Sequence, residues 1–145
     1  MFAACSAEWR SANPAPDTGA WEAIPDPRDR LETALPALYR WYRSSEGMRA
    51  NLLRDLAVLP PAIRAGIASY PQRVADVLNA GWPRPSRLRR AAIGHGVAFG
   101  TWQSLAHEGL ADAEAARLII GLIATAERES TSTPVRRRSS TRQSE

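Results

Sequence analysis

Few side chains in this sequence could do chemistry: two histidines, one cysteine, a C-terminal group of arginines and a set of tyrosines and tryptophans. His95 and His107 fall twelve residues apart in what reads as one helix, roughly 120° round the axis and about 18 Å along it. They cannot share a metal ion, and no zinc spacing, phosphate loop or Gly-x-Ser-x-Gly elbow occurs. Ser6 follows Cys5 with no base beside it. The pattern excludes a recognisable catalytic or metal centre, so the chain reads as a non-enzyme with no cofactor. Arg136, Arg137 and Arg138 could touch phosphates, but an arginine run in a solvated tail is usually a solubilising or non-specific element. The aromatics Tyr39, Trp41, Tyr42, Tyr70, Trp82, Phe99 and Trp102 sit where helices should converge. They either fill a core or line an apolar cavity whose polar edges orient a ligand. The second reading takes Tyr42, Leu52, Tyr70, His95, Phe99 and Trp102 as ligand-binding; His95 is then a pocket polar group rather than a hydrogen-bonded core histidine.

The elements that must position these residues are helices, because apolar spacing follows the 3.6-residue period and no segment alternates like a strand. The chain reads as an all-α bundle of about six helices. A helix is expected from Ser86 to about His107, followed by a turn at Glu108, Gly109 and Leu110 and a last helix from Ala111 or Asp112 to Arg128. On the first, Leu88, Ala92, His95, Phe99, Trp102 and Ala106 form one stripe, with Ile93, Val97, Gly100 and Ser104 on a second about 100° round. Between Ala115 and Ala126 only Arg117, Gly121 and Thr125 are not apolar, so almost the whole circumference of the last helix asks for burial. This hairpin is expected to pair with a second copy through Ile93, Val97, Gly100, Ala116, Ile119, Ile120 and Ile123, with Gly94, Gly96 and Gly100 permitting close approach.

Upstream, Phe2 to Trp9 resembles a helix interior with no cap before it, and Asn13 to Gly19 reads as a loop. Asp26 and Pro27 make a strong helix start. Leu31, Leu35, Leu38 and Tyr42 form its stripe, and it is expected to bend at Pro36 and end near Ser44. A shorter helix from Met48 to Leu56 follows Gly47. Pro60 and Pro61 start another, with Ile63, Ile67, Tyr70, Val74 and Val77 in one stripe through Pro71 and Gly81 as its cap.

The length of 145 residues and 44% hydrophobic content fit one domain, residues 1–128, with a polar disordered tail at 129–145. All 19 basic residues are arginine, and +3 of the net charge of +4 comes from residues 130–145, so the folded part carries no nucleic-acid footprint. No run approaches the ~20 apolar residues of a membrane span and no signal peptide is evident, which points to a cytoplasmic protein without membrane contact. The lone Cys5 agrees with a reducing compartment.

Asp26-Pro27-Arg28-Asp29-Arg30-Leu31, Leu38-Tyr39-Arg40-Trp41-Tyr42-Arg43, Met48-x-Ala50-Asn51-Leu52-Leu53-Arg54-Asp55, Ala80-Gly81-Trp82, Gly94-His95-Gly96-Val97-Ala98-Phe99-x-Thr101-Trp102-x-Ser104-Leu105 and Glu108-Gly109-Leu110-x-Asp112-x-Glu114-Ala115-Ala116 occur in that order. Together they resemble the C-terminal region of TetR-type transcriptional regulators, over Phe2 to about Ala126. The resemblance implies an effector-binding and dimerisation domain that ordinarily follows an N-terminal helix-turn-helix domain, which this sequence lacks. The uncapped start at Phe2 falls where that domain's connecting helix would leave it, as expected of a misplaced gene start or a lost upstream region. The expected partners are a second copy and a small apolar or amphipathic effector, with DNA only if an upstream helix-turn-helix exists. The alternative is a structural interaction module that only dimerises or pairs with a full-length regulator.

Overall fold

The computed structural model describes residues 11–132. Six α-helices make up the described part: α1 (Thr18–Glu22), α2 (Pro27–Arg54), α3 (Pro61–Asn79), α4 (Arg87–Gly96), α5 (Phe99–His107) and α6 (Asp112–Ser132), with a 3-10 turn at Leu56–Val58. The expected all-α bundle is what forms, and no strand occurs among the described residues. The helix expected at Phe2 to Trp9 and the tail beyond residue 132 lie outside them. No described helix is long and apolar enough to cross a membrane.

Local signals explain most boundaries. The Asp26 carboxylate accepts from the backbone N–H of Arg28 at 2.8 Å and of Asp29 at 3.1 Å, and these bonds, that of Asp29 foremost, hold its carboxyl below the usual range. Ser86 caps α4 through the N–H of Arg89 at 3.0 Å. Gly109, with φ +86°, supplies the left-handed turn before α6. Ala111 brings no capping side chain, but its own N–H donates to the Glu114 carboxylate at 2.9 Å, half of a capping box.

Four expectations are corrected. Asp17 caps a short helix, α1, where only loop was expected. The two helices read on either side of Gly47 are one, α2, unbroken at Pro36 and Gly47. A single exposed glycine costs a helix only about 1 kcal/mol, less than the burial of the flanking Tyr42 and Ser45 contributes. The helix read from Ser86 to His107 is two helices, parted at Val97 and Ala98. Finally, α6 continues past Arg128 to Ser132, with Ser130 Oγ bonded to the Ala126 carbonyl and in contact with Ser86 Oγ.

The core lies between α2, the C-terminal half of α3 and the α4–α6 group, with Leu31, Ala34, Leu35, Leu38, Val74, Leu78, Ile93, Ala116 and Ile123 buried. The stripe expected along α3 is buried only at Val74 and Val77; Ile63, at its start, is 49% exposed. Gly96 explains the tightest contact: a Cβ there would stand 2.5 Å from Ile119 Cγ2. Only glycine lets α4 approach α6 this closely, whereas Gly94 and Gly100 face open space.

Two buried arginines stitch the bundle. Arg30 has no acid partner among the described residues, yet Nη1 donates to the carbonyls of Val77 and Ala80 at 2.8 and 3.0 Å, and Nη2 and Nε donate to that of Ile24 at 2.7 and 3.1 Å. Its side chain thereby closes the C-terminus of α3, where Gly81 takes φ +78°. Arg89 pairs with Glu127, donates to the Arg84 carbonyl at 2.7 Å and lies 4.6 Å from the Trp82 ring.

Candidate functional site

Six of the seven aromatic residues expected to converge do so ring on ring, whereas Trp82 lies apart against Arg89. Tyr42 meets Phe99 edge-on at 5.4 Å and Trp102 at 6.0 Å; Phe99 and Trp102 are 5.4 Å apart; Trp41 lies 5.8 Å from Tyr42 and 4.9 Å from Tyr70. Tyr39, Tyr42 and Trp102 are fully buried.

Their polar edges serve the backbone. Parting α4 from α5 frees carbonyls that a continuous helix would have occupied. The Tyr39 hydroxyl donates to Gly96 O at 2.7 Å, Tyr42 to Val97 O at 2.5 Å and Thr101 to His95 O at 2.7 Å. The two tyrosine hydroxyls thus occupy the carbonyls of Gly96 and Val97, while Thr101 shares that of His95 with the Ala98 N–H at 3.1 Å, and this satisfies the break. The Trp102 indole donates to Asp112 at 3.0 Å, Trp41 to Asn13 O at 3.3 Å and Tyr70 to Pro16 O at 2.8 Å. Burial raises the pKa of all three tyrosines, that of Tyr42 to about 12.

Of the six residues expected to bind a ligand, Tyr42, Phe99 and Trp102 come together, but they fill the space rather than line it. Tyr70 and Leu52 are half-buried on the distal part of the α2–α3 hairpin. His95 is exposed, with Nε2 3.3 Å from Thr101 Oγ1. The break is the reason: α4 buries Arg89, Ile93 and Gly96, α5 buries Phe99 and Trp102, and the stripe drawn through both does not exist. A cleft of about 280 Å³ does open, but elsewhere, with Leu31, Trp82, Ile120 and Ala124 among its walls.

The positions expected at a dimer contact are mostly interior. Ile93, Val97, Ala116, Ile119 and Ile123 are buried within one protomer, Ile120 is half-buried beside the cleft, and Gly100 alone is exposed. Contacts of α6 with α2 and α4 use up this face. What remains outward on the same helices is Leu88, Leu118 and Leu122, at 51%, 45% and 54% exposure.

Arg49 was missed in the sequence. Its guanidinium carbon lies 3.7 Å from the centroid of Trp41 and 5.0 Å from that of Tyr42, and Nε donates to Ser45 Oγ at 2.9 Å. Trp41, Ser45 and Arg49 follow at i, i+4 and i+8 on one face of α2, a register hidden by the helix break expected at Gly47. Asp112, expected only at the start of the last helix, accepts from Arg43 Nε and Nη2 at 2.9 and 2.8 Å as well as from Trp102, joining α2, α5 and α6. Among the described residues no group of acids, histidines and cysteines could hold a metal.

No family model matches this chain, and no significant similarity to a curated protein or a solved structure was found.

Proposed function

We propose that the chain is the dimerising, ligand-sensing half of a TetR-like transcriptional regulator. The observation that carries this reading is the outer face of α4 and α6. Leu118 and Leu122 lie one turn apart on α6, with Gly121 and Thr125 beside them, and Leu88 and Ala92 lie one turn apart on the antiparallel α4. Half-exposed leucines ranked along two packed helices suit an isologous contact with a second copy, in which each pair covers the other. The order of the helices and the motifs that resemble the regulators support the same reading.

The closed aromatic cluster, with its polar edges spent inside, favours a second reading: an interaction module that pairs through this face and senses nothing. Light scattering tests the dimer. We expect a dimer for the wild-type chain and a folded monomer for Leu118→Asp combined with Leu122→Asp. Ile123→Asp, which places a charge in the protomer core, should instead unfold the chain. A concentration-independent wild-type monomer would overturn the dimer. A dimer whose melting temperature no small molecule raises would leave the interaction module as the better reading.

A further inference from the structure

We infer that Arg49 anchors the carboxylate of a ligand whose apolar chain lies along the distal half of the α2–α3 hairpin. The inference rests on the sensing part of the reading above and adds to it a place and a chemical class.

Arg49 is the odd one out among the arginines drawn into the body of the protein. Arg30 satisfies its guanidinium with three backbone carbonyls, and Arg89, although its Nε is unpartnered, has the Glu127 carboxylate and a carbonyl. Arg49 is half-buried against Trp41, and its one protein acceptor is Ser45, reached through Nε. Both Nη nitrogens reach solvent and have no acceptor among the described residues. Burial weighs against its charge, and no carboxylate offsets this. Acids close in sequence or space are engaged elsewhere: Asp17, near Tyr70, with the Gly19 N–H, Asp112 with Arg43 and Trp102, Asp55 with Arg54 at 3.6 Å, and Glu46 facing His107 at 3.9 Å. A planar fork held on an aromatic face with its Nη edge unused is suited to a carboxylate, which can accept two parallel N–H bonds.

The same region supplies an apolar wall. From Arg49, Leu52, Leu53 and Leu56 follow at i+3, i+4 and i+7 along α2 and into the 3-10 turn. From Tyr70, which packs on Trp41, Ile67 and Ile63 recede at one-turn intervals along α3 towards the same turn. Leu53 and Ile63 are 44% and 49% exposed, and Leu52, Leu56 and Ile67 are half-buried. Seven residues of helix give a wall about 10 Å long, with the cation at one end. That asymmetry selects an amphipathic monocarboxylate over a neutral hydrocarbon or a small inorganic anion.

Octanoate is the probe, titrated by calorimetry and by thermal shift into the full chain. We expect octanoate to bind and to raise the melting temperature. 1-Octanol, with the tail alone, and acetate, with the charge alone, should each bind at least tenfold more weakly. Octyl phosphate separates a carboxylate site from a general anion site, and equal affinity for it would overturn the assigned class. Arg49→Gln should weaken octanoate at least tenfold and leave octanol unchanged, with circular dichroism verifying the fold. If that variant does not fold, Ile63→Asp, at an exposed position, should weaken octanoate in its place. Equal binding of octanoate and octanol, or octanoate binding unaffected by these substitutions, refutes the role of Arg49. If octanoate fails while another apolar molecule stabilises the chain, sensing stands and this site falls; if no small molecule binds, both fall.

Discussion

At the scale of single residues, the hydroxyls of Tyr39 and Tyr42 bind the structure together more than their rings suggest. Each occupies a carbonyl that the parting of α4 and α5 leaves open, so Tyr42→Phe should strand Val97 O and cost about 1–3 kcal/mol, measured by urea unfolding. Titration gives a second check. All three tyrosines of the chain have pKa values raised by burial. For Tyr42 the folded value of about 12 lies above the ordinary 10.0. Its contribution to stability is therefore complete below pH 10 and is lost as pH climbs towards 12, where the unfolded chain releases a proton that the folded one still holds. Tyrosinate absorbance should accordingly appear together with unfolding. A smooth ionisation centred near pH 10 in the folded protein would contradict the buried hydroxyls. The sequence showed that these aromatics converge, because their spacing marks inward faces. It did not show what their hydroxyls bond to, because those partners exist only once a helix elsewhere has broken.

At the scale of elements, the legible boundaries were those with local causes: Asp26 and Pro27 opening α2, Gly109 preceding α6, the paired prolines before α3. The illegible ones depend on distant contacts. Nothing between Ser86 and His107 forbids one continuous helix, and nothing at Gly47 announces that tertiary packing will carry α2 through it. The fit of α4 on α6 is likewise invisible in composition, since Gly94, Gly96 and Gly100 look alike in the sequence and only Gly96 meets a neighbour. Adding one methyl at each separates them. Gly96→Ala forces the Ile119 side chain to move and should destabilise the fold by about 1–3 kcal/mol. Gly94→Ala, with open space around it in the protomer, should be neutral or stabilising by up to about 1 kcal/mol through helix propensity. Equal effects in a denaturant series would mean that the α4–α6 approach is looser than described. Most residues expected at a dimer contact are interior for a related reason: the apolar circumference of α6 gives the amount of surface to be covered, while the division between intramolecular and outward parts depends on where α2 and α4 dock.

At the scale of the whole molecule, most of the net positive charge comes from the sequence beyond residue 132, where four arginines stand against one acid. Sequence-specific readout needs a helix presenting polar side chains to base edges on a fixed scaffold. The one candidate, the polar stretch expected from Met48 to Leu56, is the last turns of α2 and the start of the 3-10 turn, with Leu52 and Leu56 half-buried. The 145-residue chain should therefore bind duplex DNA weakly, without preference between its own upstream region and a scrambled sequence, and with steep loss as salt rises. A gel-shift preference for the native duplex would reveal a reading element not recognised among these residues. The parted helix carries one more implication, which concerns time. Residues 95–97 owe their geometry partly to hydroxyls 57 and 55 positions earlier in the chain, and loops of that length close slowly compared with the growth of a helix. The local turns of α4 and α5 therefore have time to form before those two hydroxyls reach residues 96 and 97. The interruption is then completed late in assembly, when α2 docks and its two hydroxyls take the Gly96 and Val97 carbonyls.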